Sequence, residues 1–121
     1  MTGIASAPIF CPIVSDFYSG MTVTVPLFGS MLKGSVEDIK AVYAKKYTGP
    51  IVRYQESVDE GGFISGLAMH GKDSMLVTVA GNEDRILLIA SYDNLGKGAS
   101  GAAIECMNMA LGAEKTKGLI L

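Results

Sequence analysis

Basic residues do not outnumber acidic ones in this chain. Ten Lys and Arg stand against 12 Asp and Glu, for a formal net charge of −2. Binding to phosphate backbones needs clustered cations, and Lys45-Lys46 is the only adjacent basic pair. A nucleic-acid or membrane-surface role is therefore not expected. No apolar run reaches the ~18 residues of a membrane-spanning helix. The first basic residue is Lys33, so the charged n-region of a secretory signal is missing. Two cysteines, Cys11 and Cys106, make no disulfide framework and read as reduced thiols of the cytoplasm. One histidine, His70, and two scattered cysteines are too few for a structural zinc site. The chain has no C-x-x-C pair and no P-loop.

What is present suits one domain over residues 1–121. A chain of this size buries roughly two-thirds of its unfolded surface. Hydrophobic residues make up 49% and charged residues 18%, an apolar surplus that hints at an interface with another subunit or domain.

Residues 1–16, with Pro8 and Pro12, read as an irregular lead-in. Residues 21–27 alternate with period two and form a strand, which Pro26 places at an edge or a break. Residues 35–47 form the clearest helix. Ser35 is its N-cap and Asp38 completes a variant capping box; Val36, Ile39, Val42, Tyr43 and Tyr47 make one apolar stripe. A short strand follows at 51–54 and a turn at 59–62. Residues 63–69 and 74–80 read as strands of a hairpin. A turn at 81–84 leads into a nearly continuous apolar strand at 85–92, and residues 100–111 form the last helix. This order predicts an α+β domain: a mixed, mostly antiparallel sheet with two helices packed on one face.

The chemistry concentrates in one run, Asp93-Asn94-Leu95-Gly96-Lys97-Gly98-Ala99-Ser100-Gly101. It satisfies the G-x-G-x-x-G pattern between a strand and a helix, as in a Rossmann phosphate loop. No second parallel strand or ribose carboxylate follows before Leu121, so the motif serves another purpose. Backbone N–H groups at a helix start can hold an anion or dipole; Asn94 adds an amide suited to a carboxamide, and Lys97 a mobile cation. The plain alternative is a tight turn of small residues packed on the sheet. His70 reads as an exposed turn histidine, Cys106 as a core residue, and residues 16–20 as a turn.

Pro12-Ile13-Val14-Ser15-Asp16-Phe17-Tyr18-Ser19-Gly20-Met21 with Val23-Thr24-Val25-Pro26-Leu27 resembles the middle of N-acetyl-gamma-glutamyl-phosphate reductases. Residues 81–88, the 93–101 run and Met107-Asn108 resemble their C-terminal part. The likeness covers nearly all of the chain from Pro8 onward. Aspartate-semialdehyde dehydrogenases share a looser version of the second block. The resemblance implies a glyceraldehyde-3-phosphate dehydrogenase type of architecture. There a Rossmann domain holds NADP, and a second α+β domain carries the subunit interface. The family reduces an acyl phosphate to an aldehyde with NADPH, in arginine biosynthesis, through a cysteine thioester and a proton-handling histidine. Those two residues belong to a Gly-Cys-aromatic motif and a His-rich stretch upstream of the matching region. Cys11, Cys106 and His70 match neither, so no catalytic residue and no metal is expected here.

What carries over is the Gly-rich turn: Asn94, Lys97, Gly98 and Ala99 match the segment that approaches the nicotinamide end of NADP. The family's Arg before Gly20 is Ser19 in this chain. The expectation is the C-terminal dimerisation and substrate domain of a longer, cytoplasmic reductase. It would be catalytically incomplete alone and homo-oligomeric through its sheet face, with NADP held mainly by the missing N-terminal Rossmann domain. The alternatives are a free-standing interaction module of the same fold, and an anion-binding domain using the 96–101 turn.

Overall fold

The computed structural model describes residues 7–121. Of the irregular lead-in, residues 1–6 lie outside the described residues. Residues 7–15 enter no helix or strand.

Four strands form one sheet in the order β1-β4-β3-β2: β1 Met21–Phe28, β2 Val52–Tyr54, β3 Met75–Gly81 and β4 Arg85–Tyr92. β1 and β3 flank β4 antiparallel, with Val25 opposite Leu88 and Val79 opposite Leu88. β2 runs parallel to β3. The α+β class, the mixed but mostly antiparallel sheet and the two helices packed against it are as the sequence predicts. Pro26 sits inside β1 rather than ending it, which an edge strand tolerates because no neighbour waits for its missing N–H.

α1, Val36–Lys46, starts as its sequence dictates. Ser35 Oγ accepts from Asp38 N, and the Asp38 carboxylate accepts from Ser35 N at 2.8 Å. Those bonds hold the Asp38 pKa below its ordinary value. α1 packs on β2 and β3. Val36 joins Val79 and Ile86 as the core, with Leu27, Leu32, Ile39, Tyr43, Tyr54 and Leu88 around them. Val42, placed by periodicity on the apolar stripe, is 58% exposed. It lies on the flank of the helix, where it lines a surface groove with Leu32 and Ile39.

The segment predicted as a strand at 63–69 is not one. It folds as consecutive turns, with Ala68 N, His70 N and Lys72 N donating to the carbonyls of Ser65, Leu67 and Met69. The cause is the parallel pairing of β2 with β3, which turns residues 55–74 into a crossover instead of a hairpin arm. The crossover meets the sheet face opposite α1 at Thr78, whose Oγ1 donates to Glu56 O at 3.1 Å. Leu76, Thr78, Ile89 and Ser91 on that face are buried, and Gly66 of the crossover lies against the Phe17 ring. The turn between β3 and β4 is as expected. Gly81 adopts φ +107°, and Asn82 Oδ1 accepts from Asp84 N and Arg85 N.

The last helix, α2, spans Gly101–Ala110 and is preceded by a π-helical turn over Gly96–Ser100. Its C-terminal tail is held by Asn108 Nδ2, which donates to Lys115 O and Lys117 O. Cys106 is exposed, not core, because α2 buries only Gly101 and Asn108.

Candidate functional site

Asp93 organises the site. It follows β4 directly and is 2% exposed. Its Oδ1 accepts from Leu95 N at 2.7 Å and Gly96 N at 3.0 Å, and its Oδ2 from Gly71 N at 2.7 Å and Ser19 Oγ at 2.6 Å. Burial pushes its pKa up, but the bonds from Ser19, Gly71, Gly96 and Leu95 together outweigh burial and hold the carboxyl well below the usual range.

This arrangement explains the Gly-rich run. The N–H groups that a phosphate loop would offer to a ligand are taken by the protein itself. Leu95 and Gly96 donate to Asp93 Oδ1, Lys97 N to Lys72 O, Gly98 N to Asp93 O and Ser100 N to Leu95 O. The internal carboxylate fills the anion's place. The glycines serve close packing: a Cβ on Gly96 would overlap Lys72 O, and one on Gly101 would overlap the Asp73 side chain. The anion-binding reading of the 96–101 turn therefore has little left to bind with.

Lys97 is not a mobile cation. Its Nζ pairs with Glu105 Oε2 at 2.6 Å, and Lys115 pairs with Glu105 Oε1 at 3.0 Å. The Lys97 bond, aided by Lys115, lowers the Glu105 pKa against a smaller desolvation cost. Gly98 and Ala99 are exposed on the outer side of the turn, with Gly98 next to the Tyr92 ring.

Asn94 is half-buried and oriented. Its Oδ1 accepts from Gly20 N at 2.9 Å. The NH2 group has no protein partner among the described residues and remains a donor. Gly20 takes φ +122°, and a Cβ there would collide with Gly66 O, so only glycine brings this backbone N–H to Asn94.

His70 is more than an exposed turn residue. Its side chain is 53% exposed, yet Nδ1 meets Ser19 Oγ at 2.8 Å. Ser19 itself is 3% exposed. Ser, His and Asp here do not form a hydrolytic triad. The serine lies between the other two and is enclosed, whereas a nucleophile must be open and next to its base. Among the described residues no cluster of His, Cys, Asp and Glu could hold a metal ion, and no helix is long and apolar enough to cross a membrane.

The structure thus brings Asn94, Gly98 and Ala99 to one outer turn and turns Lys97 away into an ion pair. Sequence reasoning missed Asp93 and Ser19. Asp93 had a readable signal, a side chain bonding the N–H groups two and three residues on, as an Asx turn does. Ser19 had none, since its partners lie 51 and 74 residues away.

No family model matches the chain. Individual relatives do. "N-acetyl-gamma-glutamyl-phosphate reductase 2" of Nostoc sp. (strain PCC 7120) is 38% identical over 128 aligned positions, covering 98% of this chain and 40% of that protein. The "N-acetyl-gamma-glutamyl-phosphate reductase" of Brucella ovis is 42% identical over 112, covering 87% of this chain and 36% of that protein. The protein of the same name from Brucella melitensis aligns to the same extent. The chain spans about 40% or less of the length of these curated relatives.

Proposed function

We propose that this chain, which is homologous over nearly all its length to a portion of the N-acetyl-gamma-glutamyl-phosphate reductases, supplies the C-terminal dimerisation and substrate domain of such an NADP-dependent enzyme. The observation that carries the reading is the outer turn itself. Asn94, Gly98 and Ala99 match the family's nicotinamide-facing segment; Gly98 and Ala99 are exposed and Asn94 is half-buried, its NH2 oriented as a donor by the bond from Gly20 N to Oδ1 at 2.9 Å. These residues fit the carboxamide end of NADP. The cofactor supplies the hydride; the chain's part is to place the ring end and shield it. The thioester cysteine and the proton-handling histidine belong to the rest of the enzyme.

Phosphate-dependent NADP reduction with N-acetylglutamate semialdehyde tests this. The chain alone is expected to be silent, and mixing it with a separately made upstream portion of the reductase to restore turnover. Silence after mixing two folded parts would favour a free-standing interaction module. Activity of the chain alone would overturn the reading and direct attention to Cys11.

We also propose that a second copy of the chain covers the open part of the sheet. Met21, Val23 and Val25 of β1 are 39%, 40% and 47% exposed. They share the face of Leu88 and Val79, beyond the reach of α1. Val23→Lys is expected to shift the protein from self-associated to monomeric in sedimentation, with an unchanged far-ultraviolet spectrum. A wild-type chain that is monomeric at all concentrations would rule this interface out.

A further inference from the structure

We infer that Asp73 is a positioning residue of this site and that the C-terminal tail is its anchor: the pairing of Asp73 with Ile120 seats the 70–73 loop against Asp93. The inference concerns the geometry of the site and holds whichever ligand the site takes.

Residues 111–121 enter no helix or strand. Such a tail is ordered only where something ties it down, and this one is tied twice. Near α2, Asn108 is 4% exposed and its Nδ2 donates to Lys115 O at 3.2 Å and Lys117 O at 2.8 Å. At the far end the tail meets the loop in three hydrogen bonds. Asp73 N donates to Ile120 O at 2.6 Å, Ile120 N to Asp73 Oδ2 at 2.9 Å, and Lys72 Nζ to Leu121 O at 2.7 Å. Ile120 is 61% exposed, so these bonds rather than core packing fix its place.

The other side of the loop is the site. Gly71 N donates to Asp93 Oδ2 at 2.7 Å, His70 Nδ1 lies 2.8 Å from Ser19 Oγ, and Lys72 O accepts from Lys97 N at 3.3 Å. The loop thus stands between tail and site, hydrogen-bonded to both.

The Gly-rich run is shaped around the Asp73 side chain. A Cβ on Gly101 would overlap Asp73 Oδ1, and one on Gly96 would stand 3.2 Å from the same oxygen. Gly101 has φ −63°, a helical value open to any residue, so space and not backbone conformation reserves the position for glycine. Two of the three glycines of the G-x-G-x-x-G pattern therefore make room for Asp73. The turn seats one of its oxygens and the tail bonds the other. Among the described residues, Ile120 N is the only hydrogen-bond donor to that side chain.

The test reads amide hydrogen exchange and the proton shift of the Gly71 N–H by NMR on the full chain. Ile120→Pro deletes the donor to Asp73, since proline has no N–H. Ile120→Ala keeps it and controls for the side chain. Ile120→Pro is expected to speed exchange at Gly71 about 5–10-fold, the worth of one hydrogen bond, and to move its proton shift upfield. Leu95 N and Gly96 N, which reach Asp93 within their own turn, and the β3–β4 ladder are expected to keep wild-type rates. Ile120→Ala is expected to match the wild type. Asp73→Ala is expected to act as Ile120→Pro does, and Asp73→Asn, which keeps an acceptor oxygen for Ile120 N, to restore wild-type exchange. Gly71 unchanged in Ile120→Pro and Asp73→Ala overturns the inference. So do equal acceleration at every amide, an Ile120→Ala effect as large as that of proline, or an Asp73→Asn variant that fails to rescue. If Ile120→Pro does not fold, Asp73→Ala against Asp73→Asn decides the matter. The readout is the chain's own amides, so its failure leaves the proposed function standing.

Discussion

Asp93→Ala is expected to lower stability by about 3 kcal/mol or more, measured by urea denaturation at pH 7. Four donors converge on this carboxylate, and truncation strands them. Each buried donor left unpaired costs about 1–3 kcal/mol; water entering the vacated space limits the sum. Single domains have about 5–15 kcal/mol to lose, so the variant sits near the edge of folding. Asp93→Asn keeps one acceptor oxygen and is expected to cost about half as much, since only the charge and one side of the network go.

The same residue predicts a pH dependence. The Asp93 pKa is lower in the folded than in the unfolded protein. Its contribution is therefore fully present above the unfolded value of about 3.9 and is lost as pH falls below it toward the folded value. Glu105, held low chiefly by its bond from Lys97, is lost in the same direction. The stability difference between wild type and Asp93→Asn isolates the first. It is expected to be flat from pH 5 to 7 and to shrink below pH 4. A difference that stays constant down to pH 3 would show that Asp93 does not carry the charge proposed for it.

Ile86→Ala is expected to cost about 4 kcal/mol, within the usual range for removing a buried branched side chain. Ile86 is 1% exposed. It lies opposite both Leu27 of β1 and Gly81 of β3, and it shares the core with Val36 of α1 and Val79 of β3. Three elements meet on it, and none can close the gap without breaking strand register. Leu87→Ala, one residue on and 37% exposed, is the control and is expected to cost less than about 1.5 kcal/mol because less area leaves the core. Equal effects at the two positions would contradict the assigned faces of β4.

The contrast between these two positions shows what was legible in advance. The apolar run at 85–92 marked a strand, and it is one; its place between β1 and β3 is what the structure adds. Ser35 with Asp38 marked the start of a helix, and both reciprocal bonds form. Asn82 and Gly81 marked the reversal between β3 and β4. Each of these signals acts over a few residues, through a cap, a turn or a pairing preference, so it is written in adjacent letters. The Gly-rich run was legible as a strand-to-helix turn of special packing and as a family likeness. Its use of an internal carboxylate in place of an external anion was not.

Local signals failed wherever a distant partner decided the outcome. Residues 63–69 have strand-like composition but become a crossover, because β2 pairs parallel with β3. Lys97 looked free and is paired with Glu105, 8 residues on. Cys106 looked buried by its neighbours and is exposed by the way α2 lies. Ser19, His70 and Asp93 come from three separate segments, and no periodicity links them.

By itself the sequence determined most of the elements, the expected strand at 63–69 excepted, with the cap of α1, the reversal between β3 and β4, and the family to which the chain is related. These depend on backbone propensity and short-range hydrogen bonding. The tertiary structure alone decided which donors Asp93 would absorb and which partners Ser19, His70 and Asn94 would meet. Those choices follow from pairing almost all buried polar side chains at once, Ser74 Oγ being the exception among the described residues, a constraint that exists only after the chain has closed on itself.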